Sequence, residues 1–382
     1  MKKSLLALAA MGAFTGAAQA QSSVTVYGIL DVGYINQSTK TTNSSGAEST
    51  INLSSTGKTS SYTSSRLGFR GTEDLGKGLR AGFVYELGIA QNDAAQTPSS
   101  NNATTNIDSN FGNNMNPFVL RLANVSLSGA FGSITLGRQQ TAIDTVWGVG
   151  DIGGGNNFIG RAYNFAPSIG AATTGYSASK QNNDRSDRLI TYTTPNMSGF
   201  TASVQYGDGK SEISTLTSTN KQTEIGAALN YSAGPVQVAL GYSSRKATLN
   251  DVNVISQQPT QMVLGANYDF KVAKVFALAT TGSNKTAADV INNKRDMYEL
   301  GVSVPVGALV FNASALTGTY TPVDGATKGN ATGMQLGALY NLSKRTMAYG
   351  VYGQDKISGL TASSANQQVS RNNFGVGLRH MF

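Results

Sequence analysis

The 382-residue chain has no cysteine and a single histidine, His380. Without cysteine it can form neither a disulfide framework nor a thiolate metal site, so its stability must come from packing and backbone hydrogen bonds. One histidine is also a poor basis for a zinc site or a Ser-His-Asp triad. We therefore expect no catalytic residues, no cofactor and no bound metal.

Charged residues and long apolar runs are both scarce. Asp, Glu, Lys and Arg make up 13% of the chain, about half of the roughly 25% that is usual for soluble proteins. Beyond the N terminus there is no run of about 18 apolar residues that could form a membrane helix. The combination favours a β-barrel with one lipid-facing and one wet face. A soluble β-sandwich is the alternative at this point.

The N terminus, residues 1–20, has the pattern of a secretory signal peptide. The basic pair Lys2-Lys3 precedes an apolar stretch at 5–10, and the small residues of 18–20 resemble a cleavage site. Cleavage there would leave residues 21–382 outside the cytoplasm and lower the formal charge from +8 to +6. An exported protein rarely meets nucleic acid, so the basic excess indicates attraction of small anions and no nucleic-acid partner.

Apolar residues recur with a period of two, which predicts strands. In Phe374–Phe382 they alternate with Gly, Arg and Met. Such a segment is about as long as a tilted membrane-spanning strand, roughly 9–11 residues. Leu79–Leu87 and Pro235–Tyr242 repeat the pattern.

Short and long connections alternate between these segments. The seven short turns are Glu73–Gly78, Gly129–Gly132, Pro195–Gly199, Ser232–Pro235, Asp269–Ala273, Pro305–Gly307 and Asn341–Thr346. The eight long polar loops are Gln37–Ser60, Gln91–Asn116, Gln140–Asp184, Gly209–Asn220, Ala247–Pro259, Asn284–Asn293, Thr321–Gly329 and Ile357–Ser370. They separate sixteen strands and leave both chain ends on the short-turn side, which is typical of a barrel with short periplasmic turns and long outer loops.

A set of motifs, in order along the chain, carries a family resemblance. The motifs are Ser22–Asp31, Ser65–Gly76, Val125–Gly129, Gly132–Gln139, Tyr192–Asn196, Leu342–Thr346 and Gly375–Phe382. Together they resemble the general diffusion porins of Gram-negative bacteria, particularly their betaproteobacterial branch. No single motif is decisive, but the ordered set spans almost the whole mature chain.

The resemblance implies an all-β, transmembrane, antiparallel 16-stranded barrel that lies as a homotrimer in the bacterial outer membrane, among lipid and lipopolysaccharide. It implies a third loop, at about 140–184, that folds inward and narrows the pore. It also implies that the barrel-assembly machinery reads the terminal Phe382. The expected function is passive passage of small hydrophilic solutes and ions, with a preference for anions. A substrate-selective porin of the same fold is the alternative.

The resemblance also implies which residues form the pore constriction. The expected set is Arg66, Arg121 and Arg185 on the wall, faced by Glu86 and Asp151. Arginine suits such a wall because it stays charged when partly desolvated. Alternation supports an inward direction for most of the set, but Arg121 shares the parity of apolar Val125. Either small residues line the protein-facing side there or a β-bulge intervenes.

Further lumen candidates are less specific, because a solvated charge without a special role explains each of them equally well. They are Arg70, Arg80, Arg138, Arg161 and Asp144. Asp144 competes with Asp151 for the position that faces the arginines. Arg245, next to the expected loop 247–259, is predicted to lie away from the constriction.

Overall fold

The computed structural model shows one antiparallel sheet with a short helix. It describes residues 23–43, 45–89, 118–152, 156–160, 162, 185–213, 218–249, 254–285, 291–321, 328–358 and 368–382. The elements are β1 (Ser23–Thr42), β2 (Glu48–Thr59), β3 (Arg66–Gly76), β4 (Leu79–Ile89), β5 (Phe118–Gly129), β6 (Gly132–Gln140), α1 (Ala142–Gly150), β7 (Arg185–Thr193), β8 (Phe200–Ile213), β9 (Ser218–Ala233), β10 (Val236–Leu249), β11 (Val254–Asp269), β12 (Lys274–Lys285), β13 (Ile291–Val306), β14 (Leu309–Thr321), β15 (Gly329–Asn341), β16 (Thr346–Ser358) and β17 (Gln368–Met381). Across these ranges, no helix has the length and hydropathy needed to cross a membrane.

The sheet closes on itself through β1. One edge of β1 pairs with β17. Its other edge pairs with β2 over Val32–Thr42 and with β3 over Ser23–Ile29. The segments β2 and β3 therefore share one position in the ring, and the 17 segments make a closed barrel of sixteen members. The predicted antiparallel 16-stranded barrel is confirmed.

The two faces of the barrel differ in chemistry. On β17, Phe374, Val376 and Leu378 are exposed by 45%, 42% and 47%, whereas the alternating Asn373 and Gly375 are buried. Leaving a large apolar side chain in water forgoes about 1.5–3 kcal/mol of burial free energy. A whole outer face of such residues is therefore stable only against an apolar solvent, as in a lipid bilayer.

The short connections lie where the sequence predicts them. Between β3 and β4 the chain reverses through Lys77 and Gly78, whose φ angles are 52° and 79°. Two successive positive φ values are typical of a type I′ turn, whose twist matches the strands of a tight hairpin. This end of the barrel also carries Ser23, where the described residues begin, and the C-terminal Phe382.

The long connections are shorter than the sequence predicts. The strand β1 continues to Thr42 and β2 begins at Glu48, inside the expected loop 37–60. Between β8 and β9 only residues 214–217 separate strands, where a loop over 209–220 was expected. Most residues at these strand ends are polar, so the alternation that marks a strand is weak although the backbone ladder continues.

Candidate functional site

The helix α1 lies inside the barrel. Its residues Ile143, Val146 and Trp147 are almost fully buried. Val146 packs on Gly241, which alternates along β10 with the outward-facing Leu240. Burying each of these side chains is worth about 1.5–3 kcal/mol, which fixes the helix on the inner wall.

Glycines on the inner wall make room for the segment that follows β6. A Cβ atom on Gly265 of β11 would lie 2.7 Å from the carbonyl oxygen of Val146. Farther round the ring, Phe158 packs on Gly375 of β17, and the Ile159 carbonyl lies on Gly353 of β16. The described part of residues 142–160 therefore follows the wall from β8 to β17 and does not reach the arc formed by β3 to β7, which we call the open arc.

A second inward element is the bend Ser60–Ser65, which joins β2 to β3. The carboxylate of Asp31, with no exposed surface, accepts hydrogen bonds from the backbone N–H groups of Tyr62 (3.0 Å) and Thr63 (3.3 Å). It also accepts one from the hydroxyl of Tyr349 at 3.0 Å. Asp31 thus holds the bend against the wall.

The bend and the segment after β6 are joined directly. The backbone N–H of Asn157 donates to the carbonyl of Tyr62 (2.8 Å), and its side-chain amide donates to the carbonyl of Ser60 (2.6 Å). The rings of Tyr62 and Phe158 pack 6.4 Å apart. A change at Asp31 should therefore be felt by both inward elements.

A cationic cluster lies on the open arc, on β3, β4 and β5. The Nε atom of Arg121 is 2.6 Å from Glu86 Oε1, and Nη1 of Arg66 is 3.8 Å from the same oxygen. The hydroxyl of Tyr27 donates to Glu86 Oε2 at 3.1 Å. One carboxylate therefore serves two guanidinium groups and leaves a positive excess.

A β-bulge turns Arg121 inward. Glu86 pairs with Leu122 but the next residue, Leu87, pairs with Leu120, so Arg121 is the extra residue on β5. An extra residue re-aims the side chain that carries it. Of the two explanations open for the parity of Arg121, the bulge is confirmed.

Arg185 extends this cluster along the wall. It begins β7 and is close enough to Arg66 to interact with it electrostatically. We call Arg66, Arg121 and Arg185 the arginine wall. The structure therefore brings the three expected arginines and Glu86 together.

Comparison with known proteins places this architecture in a family. The profile of the family described as "Gram-negative porin" matches residues 7–360. The chain belongs to that family. Outer membrane porin protein 32 of Delftia acidovorans is 34% identical to this porin, and an outer membrane porin protein of Bordetella pertussis is 30% identical, each over the whole of both chains. This porin is accordingly an outer-membrane channel protein for small hydrophilic solutes.

Solved structures show the same barrel. The structure titled as the anion-selective porin from Comamonas acidovorans has a TM-score of 0.68 and 29% identity, and covers 95% of this porin and 100% of the solved chain. OmpT of Vibrio cholerae has a TM-score of 0.60 at 13% identity, and covers 94% of this porin and 98% of its own chain. The second likeness supports the fold alone.

The acids of the porin lie differently from the prediction. Glu86 does not face the arginines across the lumen, because β4 lies between β3 and β5 and Glu86 is paired on the arginine wall itself. Asp151 lies on the other side of the ring but is only 3% exposed, so little of its carboxylate reaches the lumen. Asp144 is half-buried and lies next to exposed Thr145 on the side of α1 that faces away from the wall. Of the two predicted loop acids, Asp144 is therefore more accessible than Asp151.

The other predicted residues of the porin are spread along the wall. Arg70 lies 5.2 Å from the ring centre of Tyr27, and Arg80 is exposed on β4 near the short turn. Arg138 pairs with Asp187 at 2.9 Å. Arg161 lies outside the described residues. Arg245, which was predicted to lie away from the constriction, lies on the inner face of the barrel wall.

Arg245 is 8% exposed on the inner face of β10, and its Nη2 is 3.0 Å from Glu224 Oε2. Three further inward groups of the porin, Tyr27, Asp31 and Glu224, were not among the predicted site residues. The sequence could have predicted an inward direction for Tyr27 and Asp31, because both alternate along β1 with the exposed Val26 and Leu30. Glu224 alternates in the same way with exposed Ile225.

Proposed function

We propose that this porin is an anion-preferring general diffusion channel. Its neck would lie between the arginine wall and an inward third loop at about residues 140–184. The observation that carries the preference is the shared carboxylate: Glu86 can neutralise one guanidinium, while Arg66 and Arg121 supply two. An excess of fixed positive charge around a narrow aqueous path raises the local concentration of anions.

The relatives support the same assignment. The solved porin titled anion-selective is 29% identical to this chain. The formal charge of +8 has the matching sign. We further propose that residues 1–20, which lie outside the described residues, are removed as a signal peptide.

Flux of uncharged sugars separates a general diffusion channel from a substrate-selective one. In liposomes that contain the porin, swelling rates should fall smoothly with sugar size and rise linearly with sugar concentration, because no lumen site holds the solute. A rate that saturates at millimolar concentration for one sugar, but not for an isomer of equal size, would favour the substrate-selective alternative.

Assembly depends in our proposal on the terminal residue. Phe382 exchanges two backbone hydrogen bonds with Gly28, of 3.0 and 3.1 Å, and its ring lies over that glycine. We propose that the barrel-assembly machinery reads this residue, and that the finished barrel forms a homotrimer in contact with outer-membrane lipid and lipopolysaccharide.

Deletion of Phe382 should therefore lower the amount of heat-modifiable porin in the outer membrane severalfold, because a barrel that closes slowly presents unpaired strand edges to lipid. The matched control is Phe270→Ala, which removes another exposed aromatic ring at the short-turn end. Quantitative immunoblots of outer-membrane fractions measure both. Equal amounts of the two variants would contradict a special role for Phe382.

A further inference from the structure

A small cavity lies against the inner wall where β6 to β10 meet. Its volume is about 110 Å³, which is roughly the room of three or four water molecules. Its charged lining residues are Arg138, Arg185, Arg188, Arg245, Asp187, Asp208 and Glu224. Four guanidinium groups thus meet three carboxylates in a space that suits a small ion.

The carboxylates leave a positive remainder in this cavity. Asp187 is paired with Arg138, and Glu224 is held by Arg245 and by the hydroxyl of Ser186. Asp208 alternates with Gly207, shares the parity of exposed Tyr206, and accepts from the hydroxyl of that tyrosine at 3.5 Å. Among the described residues, Arg188 on β7 is therefore the guanidinium group of this cavity that these contacts leave without a carboxylate.

The backbone directs this charge into the cavity. The pairing of β6 with β7 slips between Gly137 and Gln139, and Arg188 takes a positive φ of 59°. A bulge of this kind re-aims side chains. The Arg188 side chain then lies over Gly209, where a glycine leaves room for it. Arg188 is exposed and makes no ion pair within the part of the chain that the structure describes.

Arg245 supplies the observation that points to a ligand. It is 8% exposed, lines the cavity, and gives one of its N–H groups to Glu224. Its Nε atom is buried and has no hydrogen-bond partner among the residues that the structure describes. A buried donor without an acceptor is unfavourable, and an anion with two or more oxygens is the usual partner of a guanidinium fork.

We propose that this cavity binds a small oxyanion, either inorganic phosphate or the carboxylate group of an organic acid. The Nε–H of Arg245 and the guanidinium group of Arg188 would donate to its oxygens. Binding there presupposes the anion permeability proposed above, since the ligand arrives through the lumen. A bound oxyanion adds negative charge next to Arg185 and should reduce the chloride current.

The test is a titration of single-channel chloride current with potassium phosphate at constant ionic strength in a planar bilayer. Wild-type current should fall in a saturable way, and potassium acetate in a parallel titration shows whether a carboxylate binds as well. Arg245→Lys keeps the charge beside Glu224 but has no Nε–H donor to reach the ligand, so half-inhibition should need about tenfold more phosphate. Arg371→Lys is the matched control, because Arg371 pairs with Asp355 elsewhere on the inner wall, and it should behave as wild type.

Arg188→Gln is the second variant, because Arg188 is exposed and the barrel should fold without its charge. It should also weaken inhibition. An unsaturable phosphate response, or equal inhibition in wild type, Arg245→Lys and Arg188→Gln, would overturn the site. A wild-type channel that prefers cations would instead contradict the proposed function, so the two failures are distinguishable.

Discussion

Channels in which Arg66 and Arg121 are both replaced by serine should lose their anion preference and favour potassium over chloride. The wild-type trio of Arg66, Arg121 and Glu86 carries a formal charge of +1, and the double variant would carry −1. At about 8 Å from the ion path and an effective dielectric constant of about 40, each lost charge changes the ion's free energy by about 1 kcal/mol. Two such changes lower the permeability to chloride roughly thirtyfold and raise the permeability to potassium by a similar factor, so the chloride-to-potassium ratio should shift by up to roughly a thousandfold.

The reversal potential in a KCl gradient measures this ratio. Glu86→Gln should shift it in the opposite direction, because Arg66 and Arg121 then lose the carboxylate that they share. Arg345→Ser removes one positive charge from the exposed turn between β15 and β16 and should leave the ratio unchanged. A double variant that keeps the wild-type ratio would exclude these two arginines as the source of selectivity.

Asp31→Asn should give larger and noisier single-channel currents than the wild type. The asparagine amide presents N–H groups to a site where two backbone N–H groups and the hydroxyl of Tyr349 already donate. Loss of such a buried acceptor costs about 1–3 kcal/mol. A loss near 2 kcal/mol would raise the fraction of time that the bend Ser60–Ser65 is detached by roughly thirtyfold. Because Asn157 is bonded to that bend, the segment after β6 should loosen with it.

Tyr349→Phe removes one of the donors to this carboxylate and should produce a smaller change in the same direction. The control is Asp269→Asn, which alters a carboxylate that accepts from the backbone of Lys271 in an exposed short turn. Single-channel recordings at fixed voltage and salt compare the four proteins. If Asp31→Asn gave the conductance and noise of Asp269→Asn, the bend would not depend on the carboxylate.

The barrel was predictable because two solvents impose its pattern. Residues such as Phe374 and Leu378 face lipid while Gly375 and Gly377 face the interior of the barrel, so every second position carries information. The pattern ends where the strands leave the bilayer, since both faces are then wet. Alternation with the exposed Leu240 and Tyr242 would place Arg245 on the inner face of β10. It does not reveal that Arg245 pairs with Glu224 on the neighbouring strand.

The inward elements were only partly predictable, for a different reason. Arg121 has the same parity as apolar Val125, and a β-bulge was one of the two explanations for this. An extra residue shifts the alternation within a single strand, so the sequence of that strand is enough to suggest it. The bend Ser60–Ser65 reads as one more polar loop, and its inward position depends on Asp31, about thirty residues earlier, and on Tyr349, far away in sequence. Hydrogen bonds between residues so far apart do not produce a repeating pattern in the amino-acid sequence.

The reversal potential of the wild-type channel, recorded in fixed-ratio KCl gradients centred near 0.1 M and near 1 M, tests the central claim most directly. The fixed charges of the arginine wall act over the Debye length, which falls from about 10 Å at 0.1 M to about 3 Å at 1 M. The account predicts chloride preference in the dilute gradient and a clearly weaker preference in the concentrated one. Cation preference in the dilute gradient would contradict it.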